Sequence, residues 1–278
     1  MIVVDIDGTL VDGLGVVSPA TRDCLTRAHA AGIPVVLATG RHQQETDAVR
    51  AQLPFPVYVI SSNGAVTRDP SSAVLHRQAL SESLVEELLT ALLPHVAFAS
   101  VRFVSTERGP AVVAVYEPAA RALLQRSGVT EVVIHHDFEA CRRAWPEAHA
   151  VQVTLHDRAD TDRTRRQGFL LQRFVPQVAI SRLQFPGEES YLWEVNGAQA
   201  TKGGALERLC GSLGVSLGEV VAIGDNWNDL SMLQVAGRPF LMANAPEDLR
   251  RSFGFKVTAS HLADGVREAV LSVWPHLG

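Results

Sequence analysis

Two aspartates, Asp5 and Asp7, stand at the end of an apolar run in MIVVDIDGTL. Residues two apart on a strand point to the same face, so this spacing predicts two carboxylates side by side at a strand tip. Such charges repel unless something positive lies between or beside them. A divalent cation supplies that charge, and Asp225 in GDNWND offers a third oxygen donor. Oxygen donors with no paired histidine or cysteine nearby suit a hard cation, so Mg²⁺ is expected over Zn²⁺. Taken alone, Asp5 reads equally well as a strand-end turn residue. With Asp225 and Asp229 at a second strand end, the functional reading is favoured.

A second group complements the carboxylates. The Thr39 hydroxyl and the backbone amides after it, Gly40 included, follow another apolar run and offer donors to an anion's oxygens. Helix starts favour anions in the same way. Lys202 opens a helix beside Gly203 and Gly204, where it would neutralise Asp5 and grip a phosphate as a point charge. The plainer reading of Lys202 is a solvated helix residue. That reading is weak in a chain whose 25 basic residues include only two lysines, Lys202 and Lys256. Ser61, Ser62 and Asn63 are expected at the rim of the site. Arg41 is expected to brace the helix it opens, with phosphate contact secondary. The ten histidines form no spaced ligand pair on an obvious helix face, and the adjacent His135 and His136 would point apart on a strand.

The elements that must hold these residues follow from hydrophobic periodicity. Residues 2–6, 33–38 and 57–61 are apolar runs, and helical segments open at Ser18-Pro19 and after Arg41. Continuously apolar strands alternating with helices predict a parallel sheet covered on both faces, α/β and doubly wound. Residues 65–68 and 73–76 flank Asp69-Pro70 and predict a hairpin. Helical segments near 81–93, 118–126 and 159–173 then alternate with half-polar strands near 97–104, 111–116, 130–134, 149–155 and 178–185. These suit an antiparallel sheet with one wet face. The first pattern returns with a strand near 191–195, a helix from Thr201, strands at 220–224 and 238–242, and a last helix near 262–273. The expected organisation is a core of residues 1–79 and 187–278, interrupted by an α/β domain of residues 80–186. Open parallel sheets bind ligands beyond the carboxyl ends of their strands, which is where the polar motifs cluster.

Composition sets the outer bounds. The chain has 278 residues, 46% hydrophobic and 20% charged, with a formal net charge of −5. That is enough apolar material for a packed core, and the weak acidic balance argues against a general nucleic-acid partner. No apolar run approaches the ~20 residues that cross a bilayer, so no membrane association is expected. Aspartates within the first seven residues do not suit a secretory leader. Three scattered cysteines, Cys24, Cys141 and Cys210, form neither a metal spacing nor a disulfide framework, and a cytoplasmic setting is expected.

Four segments taken in order, DIDGTL at 5–10, ATGR at 38–41, TKGGAL at 201–206 and GDNWNDLSML at 224–233, resemble the four motifs of the haloacid dehalogenase superfamily. The closest likeness is to its Cof-type phosphatases, which carry the larger inserted cap. SSNGA at 61–65, ANAPEDLR at 243–250 and VTASHLADGV at 257–266 add to it. The resemblance spans the whole core, and the inserted region falls where the family places its cap domain. It implies that Asp5 is a nucleophile forming an aspartyl-phosphate. Asp7 would be the general acid and then base, raised by burial and phosphate charge, with its backbone carbonyl on Mg²⁺. Thr39, Gly40 and Asn228 would hold the phosphoryl group, and Lys202 would position Asp5. Asp225 would bind Mg²⁺ directly, and Asp229 would order the groups around the metal. Trp227, where many relatives carry a small residue, is the one oddity. The implied partner is a small phosphorylated metabolite. The rival readings are a phosphomutase of the same fold and a catalytically silent binding or regulatory protein.

Overall fold

The computed structural model describes residues 1–104, 111–115, 132–134, 143, 146–158, 161–184 and 190–278. The expected helix near 118–126, the His135-His136 pair and Cys141 lie outside these. The chain divides into two units. One comprises Met1–Arg41, Thr46–His76 and Thr201–Gly278; the other comprises His42–Glu45 and Arg77–Ala200. Among the described residues no helix is long and apolar enough to cross a membrane.

The first unit is built on an eight-stranded sheet. Its strands are β1 (Ile2–Val4), β2 (Val35–Ala38), β3 (Tyr58–Ser61), β4 (Val66–Arg68), β5 (Val74–Arg77), β12 (Val221–Gly224), β13 (Arg238–Met242) and β14 (Lys256–Thr258). Their spatial order is β14-β13-β12-β1-β2-β3-β4-β5. From β14 to β3 every pairing is parallel, and β3–β4 is antiparallel. Helices α1 (Pro19–Ala30) and α2 (Gln43–Arg50) follow the first two strands. The Ser18 hydroxyl caps α1 by accepting from the Thr21 amide, and Pro19 fills the first helical position, where no amide partner is needed.

The continuous apolar character of the strands has a direct cause. Ile2, Val4, Leu37 and Ile223 pack on one face with Leu25 and Ala28 of α1. Met1, Val3, Val36 and Ala222 pack on the other with Ala205, Leu206 and Leu209. Those last three belong to a later helix, Lys202–Leu213, capped by the Thr201 hydroxyl and closed by Gly214 in the left-handed conformation. Both faces are dry, so neither can alternate with polar residues.

The second unit carries a six-stranded sheet of β6 (Phe98–Val104), β7 (Ala111–Val115), β8 (Val132–Ile134), β9 (His149–Arg158), β10 (Val178–Gln184) and β11 (Ser190–Gly197). The order is β10-β11-β9-β6-β7-β8. Helices α3 (Glu82–Leu92) and α4 (Thr161–Gln172) give Leu84, Leu88 and Leu171 to an apolar cluster with Val101, Val153 and Leu155.

Three expectations for this sheet are corrected. The strand near 191–195 was expected in the core; as β11 it pairs with β9 and β10 here, so this unit runs to Ala200. The short run YLWEV is compatible with either sheet, and only its partners decide. The sheet is not wholly antiparallel, because β7 and β8 run parallel. A parallel pair needs a connection of a dozen or more residues, which residues 116–131 supply. Finally, the polar face is not wet. Ser100, Arg102, Gln152, Thr154, His156, Glu194 and Asn196 are all buried. They are held partly by one another: Arg102 donates to Gln152 at 2.8 Å, and Gln152 donates to Asn196 at 3.1 Å.

Candidate active site

The site lies at the carboxyl ends of the parallel strands of the first unit. Strand β1 stops at Val4, and Asp5 follows it, buried. Its amide is held by the Ile223 carbonyl of neighbouring β12 at 3.0 Å. Lys202 opens its helix, α5 (Lys202–Leu213), with its side chain fully buried. Its ammonium donates to Asp5 Oδ1 at 2.7 Å and to Asp229 Oδ1 at 2.6 Å. Burial by itself lowers an ammonium's pKa, but Asp229 and Asp5 outweigh it and hold Lys202 above the usual lysine range. Burial and the Asp229 charge hold Asp5 well above the usual carboxylate range, with Lys202 opposing.

Asp225 and Asp229 follow β12 in a tight turn. Asp229 accepts the Asp225 and Asn226 amides on Oδ2, at 2.9 and 3.0 Å, so both of its oxygens are taken. The short helix α6 (Leu230–Val235) begins directly after. Burial and the Asp229 charge raise Asp225 to about 7. Gly8 makes this approach possible. Its φ is +75°, and a Cβ there would lie 2.5 Å from Asp225 Oδ2, so only glycine fits.

Asp5, Asp225 and Asp229 form an acidic cluster whose ligand oxygens lie within 4.8 Å of one another. Three carboxylates with one ammonium leave net negative charge in a desolvated place, and every donor is oxygen. That set fits a hard divalent cation.

Asp7 lies outside this acidic cluster. The chain leaves the extended conformation after Val4, yet the Asp7 charge is still felt by Asp5 and by Asp225. The Asp7 side chain is 60% exposed and turns to Arg41, whose Nε and Nη2 donate to its two oxygens at 2.8 and 2.5 Å. The third carboxylate of the cluster is Asp229 instead. Arg41 therefore belongs to the site's polar network, where the sequence suggested a helix brace.

The phosphate-binding candidates sit nearby in the fold. Thr39, buried, follows β2, and its hydroxyl oxygen accepts from the Arg41 amide at 3.0 Å, which leaves its proton free to donate. Gly40 follows it in the same turn. Asn228 donates to Asn63 Oδ1 at 3.3 Å, tying the β12 turn to the turn after β3. Ser61 to Asn63 thus lie at this edge. Two contributors were missed. Thr9 donates to Asp225 Oδ1 at 3.1 Å, and Asn244 donates to the Gly8 carbonyl at 2.8 Å and to Asp225 Oδ2 at 3.3 Å. Their signal was available: Thr9 lies inside DIDGTL, and Asn244 lies two residues past the run at 238–242, as Asp225 lies just past that at 220–224. Cys24 and Cys210 are free thiols buried in the core.

Residues 2–270 match the family described as haloacid dehalogenase-like hydrolase. The chain belongs to the haloacid dehalogenase-like hydrolases. Among relatives of this family is phosphatase YwpJ of Bacillus subtilis, 26% identical over 276 residues, with 96% of each chain covered. A solved haloacid dehalogenase-like hydrolase from B. subtilis superposes with a TM-score of 0.79 at 23% identity, covering 97% of this chain and 98% of that one. A structure described as the HAD subclass IIB sugar phosphatase BT4131 gives a TM-score of 0.72 at 22% identity, covering 99% and 98%. Both likenesses support the haloacid dehalogenase fold, with its mostly parallel sheet and a separate, largely antiparallel one.

Proposed function

We propose that this protein, a phosphatase of the haloacid dehalogenase-like family, hydrolyses small phosphomonoesters of the sugar-phosphate kind with Mg²⁺, through an aspartyl-phosphate on Asp5. The observation that carries this reading is the buried Lys202 ammonium shared by Asp5 and Asp229 at 2.7 and 2.6 Å, beside Asp225. It fixes one oxygen of Asp5 and leaves Oδ2 as the oxygen Lys202 does not hold.

In this reading Asp5 attacks phosphorus, the ester P–O bond breaks, and the leaving alkoxide takes a proton from Asp7. Asp7 then takes a proton from water as that water attacks the aspartyl-phosphate. Asp5 is released with inorganic phosphate. Splitting one slow displacement into two faster ones is the gain of covalent catalysis. Both Asp7 oxygens accept from Arg41, so Asp7 reaches the substrate by giving up part of that fork. Thr39, the Gly40 amide and Asn228 hold the phosphoryl oxygens, and Lys202 offsets charge as the anion approaches the carboxylate. Asp5, Asp225 and the Asp7 carbonyl would hold Mg²⁺, while Asp229, its oxygens taken, orders Lys202 and the turn. When bound, Mg²⁺ neutralises negative charge shared by the carboxylates and the phosphoryl group.

The test is release of inorganic phosphate from a panel of sugar phosphates, nucleotides, glycerates and phosphorylated cofactors, with and without Mg²⁺. Release is expected only with Mg²⁺, and Asp5→Asn is expected to abolish it. Undiminished turnover by Asp5→Asn rejects the reading.

A further inference from the structure

Asp5 and Asp229 share the Lys202 ammonium, but among the described residues no ion pair reaches Asp225. Among the described residues Asp225 is held only by neutral donors, one on each oxygen: the Thr9 hydroxyl on Oδ1 and the Asn244 amide on Oδ2. Neutral donors orient a carboxylate while leaving its full charge for a cation, whereas a lysine or arginine there would compete with the metal.

Asn244 is itself fixed from three sides. It follows β13, in a turn closed by the Ala245 amide on the Met242 carbonyl at 3.0 Å. Its Oδ1 accepts from the His261 amide at 3.1 Å, and its Nδ2 faces the Gly8 carbonyl and Asp225 Oδ2. This pattern admits one orientation, because a flipped amide would set an oxygen against two acceptors and a nitrogen against a donor. Asn244 is exposed, and a solvated asparagine has no reason to give up its rotamer freedom to three partners. An aspartate here would add a further negative charge to the cluster and lose both donated bonds.

We infer that Asn244 and Thr9 are positioning residues that aim the Asp225 carboxylate at a divalent cation. Through Asn244 the segment at His261 fixes the metal-binding loop. This inference rests on the Mg²⁺ reading above and adds residues to it. Partners that orient a metal ligand are worth about 10–100-fold in metal affinity.

The test measures Mg²⁺ binding directly, by titration calorimetry and by the Mg²⁺-induced rise in Tm, in the full chain and in Asn244→Leu. Leucine keeps the approximate size and removes the donors. Mg²⁺ affinity is expected to fall about 10–100-fold while the metal-free Tm stays near wild type, with kcat recovered at saturating Mg²⁺. A metal-free Tm that drops with Mg²⁺ affinity unchanged would mark Asn244 as merely structural and overturn the inference. If Asn244→Leu does not fold, Thr9→Val, isosteric and acting on the other oxygen, is judged by the same criteria. A wild-type chain that takes up no Mg²⁺ overturns the metal reading itself, and this inference with it.

Discussion

Lys202 shows how much one side chain can decide. In a chain that uses arginine almost everywhere, this lysine is fully buried between two carboxylates. An ammonium is a compact point charge that serves both; a planar guanidinium is larger and demands a fork geometry. Lys202→Arg is therefore expected to lose phosphatase activity despite its conserved charge, as a steady-state assay checks. Lys202→Met is expected to be worse for folding. It leaves Asp5 and Asp229 buried without their cation, and breaking a buried pair costs about 3–5 kcal/mol. Urea unfolding of the metal-free protein measures that loss.

Within the elements, register matters more than composition. The second sheet turns one apolar face to α3 and α4 and buries a polar one, where Gln152 is both acceptor for Arg102 and donor to Asn196. Gln152→Leu removes both bonds at a site with no solvent access. The expected loss is about 1–3 kcal/mol, seen as a lower urea midpoint with an unchanged m value. Gln152→Glu, which keeps the acceptor for Arg102, is expected to lose less. At the same scale, the end of β1 sets the division of labour between Asp5 and Asp7. Asp5, directly after Val4, is buried against Lys202, while Asp7, past the turn that begins there, is exposed and paired with Arg41.

For the whole molecule, the acidic cluster links stability to pH and metal. Asp225 titrates at about 7 in the folded chain, against 3.8 ordinarily, because burial and Asp229 disfavour its charge. Between those values the folded state holds a proton that the unfolded state lacks, so this group's stabilising contribution falls as pH rises toward 7. Mg²⁺ must displace that proton below pH 7 but meets a bare carboxylate above it. The Mg²⁺-induced rise in Tm at fixed Mg²⁺ is therefore expected to grow from pH 5 to about 7 and then level off, and scanning calorimetry against an EDTA control checks this. His156, which burial and Arg102 depress to about 3, titrates in the opposite sense in the acid range. It acts alike with and without metal, so the difference cancels it.

The strand-and-helix alternation of the core is legible in the residues alone. Strands buried on both faces must be apolar throughout, which marks them, although the run at 191–195 could pass for one more. Equally legible is the placement of Asp5, Thr39, Lys202, Asp225 and Asn228 at strand ends and a helix start, since local motifs carry those positions. The partnerships between distant segments emerge only in the folded chain: β11 with β9 and β10, Asp7 with Arg41, Asp229 with Lys202, and Asn244 with Gly8 and Asp225. Hydrophobic periodicity reports which face of an element is buried, not which neighbour buries it. A hydrogen bond between residues 236 apart in the chain, like that of Asn244 with Gly8, leaves no periodic trace in the sequence.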